Sequence, residues 1–327
     1  MSKKLKIIWI DDNPELRKPE SKNMAKRLGI IIDFKDVRNN DLNLCLINLL
    51  SKAQPDLILI DHKFDDSTTG IFRTGSTIAA LIRDTWPNCP IICVTGINLD
   101  EIDSQKRSLY EEVIQFHNIS RYDNTIISIA KSYRKISESK PKNVNDLLAL
   151  LKAPNIEMLK LETILPSYLK DNFDDKGLST NLSSWVRNML MERPGFLYDK
   201  LWASTLLGIK IDSFHKVEET FKAARYKGIF SDDSKPRWWK ASLLEILSKK
   251  VIEPGLSFEK GRLLNSIKKR DYSTCYVDNS DYPETVAFED QTPGSKQYPM
   301  KLRNTMSHPA FSDMLFFEEI RLMKPKE

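Results

Sequence analysis

Three short stretches decide the fold: KIIWIDD at residues 6–12, PDLILID at 55–61 and PIICVTG at 90–96. Each is a run of four or five apolar residues, rich in β-branched side chains, that stops at a polar residue. Runs this short and this continuously apolar fit strands buried on both faces, because a half-exposed strand would alternate apolar with polar. Two weaker runs complete the series, IIIDF at 30–34 and VIQF at 113–116. Helical spacing, with apolar residues recurring at i, i+3, i+4 and i+7, predicts helices over 21–28, 41–53, 74–86, 99–110 and 122–136. Strands alternating with helices over residues 1–137 predict an α/β domain with a five-stranded doubly wound parallel sheet.

In such a sheet a ligand pocket forms beyond the carboxyl ends of the strands. Asp11 and Asp12 follow the first strand, Asp61 ends the third and Thr95 ends the fourth. Carboxylates brought together repel one another unless a cation lies between them, and Mg²⁺ favours oxygen ligands. An aspartate beside such an ion is a nucleophile toward a phosphoryl group.

The order IIWIDD, PDLILID, PIICVTG resembles the response-regulator receiver family over about the first 130 residues. The resemblance implies a receiver or flavodoxin-like fold and a Mg²⁺ cofactor. It makes Asp11 and Asp12 the metal-binding pair, Asp61 the phosphoacceptor, Lys63 the donor of a backbone carbonyl to the metal and Thr95 the switch hydroxyl. Departures accompany it. Receivers carry a lysine after the fifth strand, whereas the stretch here is VIQFHNIS, so His117 is the candidate replacement. The loop HKFDDSTTGIFRT (62–74) is long and adds Asp65 and Asp66. The missing cation suggests a pseudo-receiver, whose surface over 99–136 serves as a docking or homodimer face.

Residues 138–145 are polar, contain a proline and read as a linker. A helical domain is expected over 146–250 and an α+β extension over 251–327, with helices over 181–191, 197–208, 213–226 and 239–249 and strands over 272–277 and 285–288. Within LWASTLLGIKIDSFHKVEETF (201–221), the spacing of Ser204, Gly208 and Phe214 resembles a helix-turn-helix. Residues 222–270 hold thirteen cations against five acids, a net +8. Lys222, Arg225, Lys227, Arg237, Lys240, Lys268, Lys269 and Arg270 are therefore candidate nucleic-acid contacts, interleaved with Tyr226, Phe230, Trp238 and Trp239. Residues 271–299 carry six acids against Lys296 alone, a segment suited to masking the basic block.

The 327 residues are 41% hydrophobic and 29% charged with net charge +5, ordinary values for a globular chain. No apolar run approaches the roughly 18 residues needed to span a bilayer, and the N-terminus lacks a signal-peptide pattern, so a cytoplasmic location is expected. Cys45, Cys89, Cys93 and Cys275 show no metal-ligand spacing and are expected as free thiols. Phosphate-binding glycine loops and GxSxG motifs are absent from the sequence.

These readings converge on a cytoplasmic signalling protein: an atypical receiver controlling a helical output domain that binds protein partners, DNA or both. A histidine kinase and an operon-encoded ATPase are the expected kinds of protein partner, and no membrane is involved. Two other classes stay open at this point. One is a regulated enzyme such as a nuclease, with Asp278, Asp281, Glu289 and Asp290 as its carboxylates; the other is a scaffold subunit of a multi-gene, phage-defence-type complex.

Overall fold

Parallel strands buried on both faces organise the N-terminal part of this computed structural model. Described are residues 3–38, 42–64, 74–173, 176–233, 235–288 and 296–307. Strands β1 (Lys6–Asp11), β2 (Ile31–Asp36), β3 (Leu57–Ile60), β4 (Ile91–Thr95) and β5 (Glu112–Gln115) form one sheet in the order β2-β1-β3-β4-β5. Every pairing in it is parallel. Helices α1 (Pro14–Leu28), α2 (Leu42–Leu50), α3 (Gly75–Thr85) and α4 (Ser104–Arg107) lie in the crossovers, and α5 (Asp123–Ser139) follows β5.

The two-residue strand period explains the doubly apolar runs. Ile10, Ile58, Ile60, Ile91 and Cys93 pack with Leu42, Leu46, Ile78 and Ile82 of α2 and α3 in one cluster. The alternate residues Ile7, Trp9, Leu57, Leu59, Ile92 and Val94 face the other way and are equally buried. On that side α1 and α5 are tied together where Arg27 donates to Asp123 Oδ1 at 2.9 Å.

Two helices depart from the sequence pattern. Helix α1 begins seven residues before the expected start at 21, because Asn13 caps it, accepting from Leu16 N at 3.3 Å, and Pro14 suits the first turn. The segment 99–110 is not one helix but a 3-10 turn, Leu99–Glu101, followed by the single turn α4. Asp103 starts that turn afresh by accepting from Gln105 N at 2.8 Å, and the Arg107 guanidinium donates to Ile102 O at 2.8 Å, taking a carbonyl that a continuous helix would use.

Contacts divide the chain at other points than the linker at 138–145 and the boundary at 250. The first unit comprises Met1–Leu150, Leu165–Ser184 and Asp232–Ser234; the second comprises Leu151–Ile164, Trp185–Ser231 and Lys235–Glu327. The later segments join the first unit through polar contacts: Arg83 donates to Thr180 Oγ1 at 3.1 Å, Ser179 N to Asn88 at 3.1 Å and Thr125 to Asp233 at 2.8 Å. Nor are 146–250 and 251–327 separate. Tyr198, Trp202, Phe214, Phe221, Trp238, Leu264, Ile267 and Val286 share one core, and Ile209 bridges Tyr272.

In the second unit, Leu197–Tyr198 pairs antiparallel with Trp238–Trp239, and Thr285–Phe288 with Gln297–Met300. The expected strand at 272–277 reduces to isolated bridges of Tyr272 and Thr274, while Gln297–Met300 was not singled out from sequence. The helix-turn-helix expectation is also corrected. Helix Lys200–Leu206 ends at Gly208, φ +69°, but a 3-10 helix, Ile211–Lys216, follows in place of a second α-helix. Asp271 holds that segment, accepting from Ser213 Oγ at 2.9 Å and Lys216 Nζ at 2.5 Å.

Gly75, at the start of α3, packs directly against the backbone at the end of β3. A Cβ there would lie 2.0 Å from the carbonyl oxygen of Asp61. Gly75→Ala is therefore expected to cost about 1–3 kcal/mol in chemical denaturation, the range of core overpacking. Gly195→Ala is expected to change stability by less than ~0.5 kcal/mol, since a Cβ at Gly195 meets nothing within 4 Å.

Candidate functional site

Register brings the polar strand ends together. Ile10 pairs with Ile60, and Ile60 with Cys93, so Asp11, Asp61 and Thr95 emerge at one edge of the sheet. Among the described residues, Asp11, Asp12 and Asp61 form a potential metal cluster in which one oxygen from each carboxylate lies within 4.8 Å of the others. All three are buried, Asp11 completely.

Each carboxylate has partners. Asp11 Oδ1 accepts from Asn13 N at 2.9 Å and Oδ2 from Arg17 Nε at 3.1 Å. Asp61 Oδ1 accepts from His62 N at 2.7 Å, and the buried Thr95 side chain near the same carboxyl favours its charged form. Burial first, then the neighbouring charge of Asp61, pushes Asp11 up to about 7, against the pull of Arg17. Burial likewise pushes Asp61 up to about 6, opposed chiefly by Arg17 and the His62 amide.

This donor set suits a hard divalent cation: all oxygen, clustered, and carrying charge whose repulsion a dication would relieve. Of the other expected site residues, Lys63 has an exposed side chain and bridges Thr74 antiparallel beside Asp61. His117 is exposed, with its Nε2 3.0 Å from Asn118 Nδ2. Asp65 and Asp66 lie outside the described residues.

Among the described residues, Arg17 is a cation at the pocket that the sequence reading missed. Arg17 is 5% exposed, and its guanidinium stacks 3.6 Å from the centroid of the Phe116 ring, the residue before His117. A pattern could have found it: six residues after Asp11 and four after the Asn13 cap, a side chain on α1 leans back over the strand end it follows. His62 was missed as well. It is buried beside Asp61, its Nδ1 3.3 Å from the Tyr110 hydroxyl, and burial lowers its basicity.

The basic block of the second unit separates into buried and exposed members. Arg237 is buried, donating to Met191 O at 2.7 Å and Glu192 at 2.9 Å, and Lys240 sits 5.5 Å from the Tyr198 ring centroid. Lys222, Arg225, Lys227, Lys268, Lys269 and Arg270 are exposed. Tyr226, Phe230, Trp238 and Trp239 are buried, which corrects their assignment as stacking surfaces. Of the candidate nuclease carboxylates, Asp278 binds Ser280 and Asn304, and Asp281 pairs with Arg262. Glu289 and Asp290 lie outside the described residues. No described helix is long and apolar enough to cross a membrane.

Strand order β2-β1-β3-β4-β5 with an acidic site at the carboxyl edge defines a flavodoxin-like doubly wound domain of the receiver type. No family model matches the chain, and no curated protein does. Solved response-regulator structures do. TrrA from Thermotoga maritima, in complex with Mg²⁺ and beryllofluoride, is 18% identical over 38% of this chain and 98% of its own, TM-score 0.32. A two-component response regulator from Clostridium difficile is 21% identical over 39% of this chain and 97% of its own, TM-score 0.31. TrrA bound to the histidine kinase ThkA matches at 18% identity over 38% of this chain and 97% of that chain, TM-score 0.32. The likeness is to receiver domains and falls on the N-terminal part of the chain; the remainder is unrecognised.

The raised pKa values set a pH dependence. Between about pH 4 and 6 the native state holds a proton on Asp61 that the unfolded chain releases, so this group's contribution to stability declines as pH rises through that window. Asp61→Asn, with metal chelated, is expected to be more stable than wild type at pH 8 by on the order of 2 kcal/mol, and nearly equal to it at pH 4. Denaturant titrations at the two pH values check this, and a variant less stable at pH 8 would contradict it.

Proposed function

We propose that the N-terminal unit is an atypical receiver-type signalling module: Asp11, Asp12 and Asp61, with the Lys63 carbonyl, hold Mg²⁺, and Asp61 accepts a phosphoryl group. The convergence of three carboxylates within 4.8 Å carries this reading. A bound Mg²⁺ would supply charge neutralisation for incoming phosphoryl oxygens. The protein's own groups do the rest. An Asp61 oxygen attacks phosphorus, the bond to the donor's leaving group breaks with its electron pair, and a mixed anhydride remains on Asp61. The His62 amide orients the carboxylate by donating to Asp61 Oδ1. A histidine kinase is the expected donor.

The surface over 99–136 is the docking or homodimer face in this reading, and three of its residues also reach later segments of the first unit. Glu111 at its rim accepts from Ser183 at 3.3 Å, Thr125 donates to Asp233 at 2.8 Å, and Lys131 to Asp232 at 3.0 Å.

Incubation with Mg²⁺ and acetyl phosphate, followed by intact-mass analysis, should add one phosphoryl group to wild type and none to Asp61→Asn or to chelated protein. No label on wild type would remove the phosphoacceptor role.

The second unit is the output part of this reading, with a protein partner or DNA as its target. The exposed Lys268, Lys269 and Arg270 favour testing DNA first. If they contact phosphates, Lys268→Ala with Lys269→Ala should lower the slope of log affinity against log salt by up to about two on any duplex sequence. An unchanged slope, or no binding at low salt, would leave an acidic protein surface as the target.

A further inference from the structure

Both oxygens of Asp11 are engaged: Oδ1 by the Asn13 amide and Oδ2 by Arg17 Nε. The Arg17 guanidinium is held at this place by the Phe116 ring beneath it. It is a buried, fixed positive charge facing Asp11, and its field also acts on Asp61. A dication coordinated by Asp11 would share a carboxylate with that charge, in a setting screened little by water.

We propose that Arg17 and a divalent cation are alternative counter-charges for Asp11: Arg17 closes the pocket without metal, and metal binding displaces its guanidinium from Asp11 while Phe116 keeps it beside Asp61 and Thr95. The inference rests on the metal site proposed above. It gives Arg17 a positioning role in two steps, restraining metal entry and then standing free as the cation nearest an anion formed on Asp61. Coupling of this kind is reciprocal, so whatever loosens Arg17 strengthens metal binding by the same factor.

The test is a Mg²⁺ titration of the full-length, chelator-stripped protein at pH 8, where Asp11 and Asp61 are ionised. Trp9 fluorescence is the readout, because its ring lies 6.5 Å from that of Phe116, with Trp9→Phe as the blank. Arg17→Gln is expected to bind Mg²⁺ about tenfold more tightly than wild type. Arg17→Lys, which keeps the charge, should stay near wild type. Phe116→Leu, which removes the support and leaves the charge, should tighten binding about two- to threefold. In wild type, the ¹⁵N resonance of Arg17 Nε should move as Mg²⁺ is added.

Metal binding by wild type with no tightening in Arg17→Gln would overturn the proposal and leave the metal site standing. Binding by Arg17→Gln but not by wild type would support the proposal and remove Mg²⁺ from the wild-type function. Binding by neither would remove both. If Arg17→Gln does not fold, Phe116→Leu and the Arg17 resonance decide: no tightening and no movement would overturn it.

Discussion

Three carboxylates buried at the ends of adjacent strands are the constraint on which the first unit depends. Buried charges of one sign raise each other's pKa and destabilise the state that gathers them, unless counter-charge is supplied. The chain supplies part of it with Arg17, part with the amides of Asn13 and His62, and, below about pH 6, part by holding protons on Asp11 and Asp61. Each of these belongs to an element that the sheet fixes in place, so the local chemistry and the strand register are one arrangement. A slip of one residue in β1 would turn Asp11 to the opposite face of the sheet.

The sheet was legible because burial on both faces leaves so few residue types for a strand, and β3, LILI, is the case in point. The acidic triad was legible for the same reason: a carboxylate directly after an apolar strand stands out. Arg17 was not, because its role depends on a helix whose first turns, PELRKPESK, carry no apolar rhythm and include two prolines, Pro14 and Pro19. His117 has the right place in the sequence, but β5 ends two residues earlier and a 3-10 helix, Phe116–Tyr122, turns its ring to solvent. A sequence offset identifies the cation only when the strand end is known to the residue.

The second unit read less well, and Gly208 shows why. The pattern of small residue, turn glycine and apolar anchor was correct as to burial, since Ser204 and Phe214 are wholly buried. What followed the glycine depended on Asp271, more than fifty residues away, which draws Ser213 and Lys216 into a tight turn. Likewise Arg262 is buried between Gly208 O, Ser273 O and Asp281, with its guanidinium 4.1 Å from the Tyr282 ring centroid. Counting it in a basic block measured sequence composition, whereas binding depends on the exposed remainder.

The bridge between Lys63 and Thr74, together with the hydrogen bond from Gly75 N to His62 O at 2.7 Å, pins the two ends of the intervening chain to each other at the lip of the pocket. Chain that leaves and returns through one clamp is mechanically insulated from the strand that feeds it. Its length can change at an entropic cost that grows only logarithmically, without altering the placement of Asp61. The number of residues between positions 64 and 74 is thereby separable from the chemistry of the acidic pocket.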